Sequence, residues 1–149
     1  FDVEGNTDGI TYYYEHETGV NQVRLGVTAA IPANITSGDY DITQKVVRGA
    51  ATNMADLRGD GENIMRVSRI IPDFITQQNN VFAQLEVRDY PNDTAASSPL
   101  GPFTLTPNTT KVDTRARGRA IALTISNTAV DTSWKLGTFR LDIQAGGRR

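Results

Sequence analysis

The sequence predicts an all-β protein, an antiparallel β-sandwich or a partly closed barrel with long Pro/Gly-rich loops. Three observations carry that expectation. Short β-branched, aromatic or alternating apolar runs recur at roughly ten-residue spacing. Turn residues separate them, among them Asp8-Gly9, Gly19, Arg58-Gly59-Asp60-Gly61 and the stretch Tyr90–Asn108, which holds four of the six prolines. No segment has a convincing helical period. Ile42–Leu57 fits a helix about as well as a short strand, and Gly49 weakens both readings.

In chain order, Ile10–Glu15 (I-T-Y-Y-Y-E) reads as a first strand. Val23–Ala29 reads as a second, with Val23, Leu25 and Val27 alternating against Arg24, Gly26 and Thr28. Pro32–Asp39 reads as a loop. After the Asp60-Gly61 turn, Ile64–Ile71 and Val81–Arg88 read as strands. In the latter, Val81, Ala83, Leu85 and Val87 face one way and Phe82, Gln84, Glu86 and Arg88 the other. Tyr90–Asn108 reads as a long loop. Thr114–Ile125 reads as a strand, Asn127–Thr132 as a turn, and Trp134–Ile143 as the closing strand.

Composition narrows the function classes. At 149 residues the chain has the length of one domain, and 38 % hydrophobic with 21 % charged residues is a globular composition. It opens without an initiator methionine, at Phe1-Asp2-Val3, and is expected to be the ordered fragment or C-terminal part of a longer chain. A formal net charge of −2 supplies no global attraction to nucleic acid. There is no cysteine, hence no disulfide or thiolate chemistry, and a single histidine, hence no multi-histidine zinc site. No apolar run approaches the roughly 20 residues of a membrane-spanning helix. No cofactor is expected.

The stretch T-R-A-R-G-R-A-I-A-L-T-I (Thr114–Ile125) is the most informative. On one continuous strand, Arg115, Arg117, Arg119, Ile121, Leu123 and Ile125 share a face. The C-terminal half then lines a core while the N-terminal half presents guanidiniums. Binding of phosphate is one fate open to them, and two others pair them with carboxylates. One is an internal network with Asp73, Asp113, Asp142 or Glu62. The other is docking to a neighbouring subunit, where arginine's planar fork suits bidentate carboxylate pairing. Arg148 and Arg149, in the terminal Gly-Gly-Arg-Arg, could add two more guanidiniums to such a contact or simply fray.

Other candidates read as ordinary surface. Arg58-Gly59-Asp60 spells an integrin-binding tripeptide, but a tight turn explains it. Asp56, Asp60 and Glu62 are acids of that turn and lack calcium-loop spacing. His16 has no serine nucleophile beside it. Tyr12, Tyr13, Tyr14, Tyr40, Tyr90 and Trp134 could build a sugar-stacking platform, or be core and edge aromatics.

Three phrases carry a family resemblance. The first is Gly61-Glu62-Asn63-Ile64-Met65 with Arg69-Ile70-Ile71-Pro72-Asp73-Phe74, and the second is Pro99-Leu100-Gly101-Pro102-Phe103. The third joins Thr110–Arg119, Trp134–Ile143 and the ending Gly146-Gly147-Arg148-Arg149. Together they resemble the C-terminal β-domain of structural proteins in tailed-bacteriophage virions, of the tail-nozzle or tail-hub type. The resemblance spans about Asp60–Arg149. It implies a non-enzymatic part of a phage tail, forming homo-oligomers and contacting other virion subunits. A capsid decoration or head–tail attachment protein is the related alternative. A sugar-binding β-sandwich meeting a host surface glycan is another, and a tail depolymerase with two convergent carboxylates a third.

Overall fold

A computed structural model describes residues 19–24, 26–42, 63–90, 93 and 97–148. These form strands β1 (Asn21–Arg24), β2 (Val27–Ala30), β3 (Ala33–Thr36), β4 (Asn63–Ile71), β5 (Phe74–Gln78) and β6 (Val81–Arg88). They continue with β7 (Ser97–Leu105), β8 (Val112–Gly118), β9 (Ala120–Asn127), β10 (Ser133–Leu136) and β11 (Arg140–Arg148), and the described residues contain no helix. The readings of Ile10–Glu15, His16, Tyr12–Tyr14, the Arg58–Glu62 turn and most of Ile42–Leu57 lie outside the described residues, as does Arg149.

Every strand pairing is antiparallel. A four-stranded sheet runs β3-β9-β6-β7, a three-stranded sheet runs β11-β4-β8, and β1-β2 and β10-β5 form two-stranded ribbons. Among the described residues the sheets pack together and none closes into a barrel, an arrangement consistent with a β-sandwich. The core lies between the two larger sheets. Val81, Ala83, Leu85 and Val87 of β6 and Ile121, Leu123 and Ile125 of β9 meet Met65, Val67 and Ile70 of β4 and Ala116 of β8. Each large aliphatic withdrawn from water contributes about 1.5–3 kcal/mol. Along β6 the alternation expected from sequence holds at every position.

The Arg/aliphatic stretch is two strands, not one. β8 belongs to the three-stranded sheet and β9 to the four-stranded sheet, and the chain crosses between them at the Arg119 bend. The inward phase changes there, with Ala116 and Gly118 buried before the bend and Ile121, Leu123 and Ile125 after it. Arginines and aliphatics therefore point to opposite sides of the sandwich wall, not to one face. The Arg119 N–H donates to the Arg88 carbonyl at 3.0 Å and fastens the crossing to β6. Gly118 allows this approach, since a Cβ there would stand 2.3 Å from the Val87 Cγ1.

Four further expectations are corrected. Val23–Ala29 is a hairpin, since Gly26 takes φ 78° and turns β1 back on β2. Pro32–Asp39 contains β3, which borders β9 from Ala33↔Asn127 to Thr36↔Thr124. The long loop contains β7, and its Pro99 and Pro102 are tolerated because β7 is an edge strand. Trp134–Ile143 divides into β10 and β11, in different sheets, around Gly137–Phe139.

Phe74, Trp134 and Phe139 pack edge to face, with Phe74 centroids 6.3 Å from Trp134 and 5.6 Å from Phe139. The Trp134 Nε1–H donates to the Oδ1 of Asn127 at 2.8 Å, and the Asn127 Nδ2 donates to the Ile31 carbonyl at 3.1 Å. Asn127 is 3 % exposed, so this one amide satisfies itself while joining β9, β10 and the approach to β3.

Candidate subunit-contact face

The outer face of the β11-β4-β8 sheet follows from its register. Met65, Val67 and Ile70 of β4 point into the core, and a bulge between Val67 and Arg69 shifts the phase so that Arg66 and Arg69 both point outward. Residues opposite one another across an antiparallel pair share a face. Asp142 of β11 and Asp113 of β8 both lie opposite Arg69, and Gln144 and Arg117 both lie opposite Arg66. Arg115 falls between Asp113 and Arg117 on the same face of β8, and Arg140 lies two residues before Asp142 on β11.

Two rows of this face differ sharply. In the first, Arg69 is bracketed by carboxylates, with its Nε 3.0 Å from the Asp113 Oδ1 and its Nη1 3.4 Å from the Asp142 Oδ2. The Arg69 hydrogen bond, reinforced by the charge of Lys111, holds the Asp113 carboxyl below its ordinary value of 3.8. In the second row Arg66 faces Arg117 on one side and neutral Gln144 on the other. Arg66, Arg115 and Arg117 are exposed, and among the described residues no ion pair neutralises them. Five arginines (66, 69, 115, 117, 140) against two aspartates (113, 142) leave this face three positive charges in surplus. The whole chain carries −2, so the remainder is acidic.

The anticipated site residues are thus partly gathered. Arg115, Arg117 and Asp142 share the face, but Asp142 and Asp113 serve Arg69 instead of the arginine triplet. Arg119 sits half-buried at the bend and is engaged there. Asp73 lies in the turn between β4 and β5, where its carbonyl accepts the Gly137 N–H at 2.8 Å. Among the described residues no ion pair joins Asp73 to an arginine. Arg148 ends β11 opposite Asn63. Sequence reasoning missed Arg66 as a site residue and Arg69 as the partner of both aspartates. Neither carries a local signal, because each gains its role only from the strands beside it.

No protein-family model matches the chain, and no curated protein matches it.

Other candidate surfaces are less assembled. Trp134 is committed to Phe74 and Asn127, which removes it from a sugar platform, while Tyr40 and Tyr90 are 43 % and 69 % exposed.

Proposed function

We propose that this chain is a structural, non-enzymatic virion protein of a tailed bacteriophage, of the short-tailed type, that assembles in the tail through protein–protein contacts. The observation that carries the reading is the unneutralised arginine row. Three exposed guanidiniums on a rigid sheet face repel one another in the isolated chain, and a neighbouring subunit that brings carboxylates relieves this. Arginine is also among the residue types enriched in protein interfaces.

A second observation supports it. The first and third family-like phrases are far apart in sequence, yet they make one sheet, β4 between β8 and β11, and their aromatic residues Phe74, Trp134 and Phe139 pack together. The residues behind the resemblance therefore act as one structural unit, and that unit presents the arginines.

The test is sedimentation velocity of the purified chain and of Arg117→Ala across a concentration series. The reading expects self-association or association with a co-expressed tail subunit, weakened several-fold or more in the variant with unchanged β circular dichroism. An unchanged sedimentation profile in the variant removes the support that the arginine row provides.

A further inference from the structure

We propose that the free edge of β8 accepts an extended acidic segment of a neighbouring protein subunit, added as a fourth strand of the β11-β4-β8 sheet. This deepens the assembly reading above by naming the form of the partner.

β8 is the last strand of its sheet, and among the described residues no strand lies beyond it. Its seven residues run extended from Val112 to Gly118, with Ala116 and Gly118 buried on one side and Asp113, Arg115 and Arg117 exposed on the other. An edge strand presents half of its backbone N–H and C=O groups outward, and an added strand satisfies them. Arg115 and Arg117 are two residues apart, a separation of about 6.5–7 Å along a strand. An added strand with carboxylates at alternate positions matches that interval and sets each carboxylate beside a guanidinium, within the 4.5–5.5 Å of facing Cβ atoms.

The adjoining row shows the arrangement completed. Arg69 on the central strand has an aspartate from the strand on each side, at 3.0 and 3.4 Å. Arg115 and Arg117 have β4 on one side only, and there Arg117 meets Arg66 instead of an acid. Within the plane of the sheet, a strand that brings carboxylates to them can join only on the open side. A second β8 laid antiparallel about Arg115 sets Asp113 against Arg117 on either side of one Arg115–Arg115 contact, so its charges complement this edge only in part. An acidic strand places a carboxylate beside both arginines, with no like-charge contact at Arg115.

The experiment uses a fluorescently labelled eight-residue peptide alternating threonine and aspartate, with an isomer that carries the same residues in two blocks. Binding to the full chain is followed by fluorescence anisotropy at low and high salt. The expected result is at least tenfold tighter binding of the alternating peptide, with slowed amide hydrogen exchange in β8 on binding. Arg115→Gln/Arg117→Gln should abolish the difference while circular dichroism stays unchanged. Equal binding of both peptides, equal competition by a single-stranded oligonucleotide, retention in the double variant, or no binding would each overturn the proposal. Loss of this result with the sedimentation shift of Arg117→Ala intact leaves assembly standing and rejects only the strand-addition mode.

Discussion

Arg66 on β4 stands directly opposite Arg117 on β8, like charge against like charge, on the exposed face of a three-stranded sheet. Such a pair costs stability in the isolated chain, and its repulsion is screened by salt. Arg117→Glu turns it into an attractive cross-strand pair. The variant should gain about 0.2–1 kcal/mol in urea unfolding at low salt, and the gain should shrink in high salt. It should nevertheless lose affinity for an acidic partner. Stability and association moving in opposite directions mark a charge kept for contact.

Asp113 and Arg69 form the compensated counterpart. The folded pKa of Asp113 lies below its ordinary 3.8, with the Arg69 hydrogen bond as the largest cause. A lowered pKa contributes stability that is fully present above the unfolded value and is lost as pH falls through the folded one. The carboxyl resonance of Asp113 should therefore titrate below 3.8 in an NMR pH series. Arg69→Gln should move its midpoint up toward the ordinary value. Asp113 is solvent-exposed, so the accompanying change in unfolding midpoint should be small and confined to acid pH.

The Asn127 amide links Trp134 to the Ile31 carbonyl from a buried position. Replacing it by alanine leaves an indole N–H and a carbonyl without their partner, at about 1–3 kcal/mol for each group that stays dry. Asn127→Ala should lower the urea midpoint accordingly. Trp134 is the single tryptophan, so its fluorescence should shift to longer wavelength as water reaches the ring.

Gly118→Ala tests the crossing between the sheets. Its Cβ would stand 2.3 Å from the Val87 Cγ1 and 3.1 Å from the Arg88 carbonyl, so β6 has to move. The expected loss is about 1–3 kcal/mol in chemical denaturation. A neutral result would mean that β8 and β6 approach less closely than the structure shows.

Patterns confined to one strand were legible in advance. The Val81–Arg88 alternation placed four core residues correctly, because nothing interrupts its period of two. Ile64–Ile71 was recognised as a strand, but its bulge was not, and so the outward aim of both Arg66 and Arg69 stayed hidden. The prolines near Pro99 read as a loop because a lost N–H looks disqualifying until the strand is known to lie at an edge. The hairpin at Gly26 imitated continuous alternation, since both of its arms keep valines at odd positions.

The Thr114–Ile125 stretch shows where the division falls. By itself the sequence determined a β protein with separate arginine and aliphatic blocks, because strand propensity and period are local properties of the chain. The bend at Arg119 and the exchange of sheets reversed the inward phase, since packing against Val87 and Arg88 is a tertiary contact. Which arginine is neutralised was also decided there. Arg69 lies 44 residues from Asp113 and 73 from Asp142, and only the register of three packed strands brings them together while leaving Arg115 and Arg117 open.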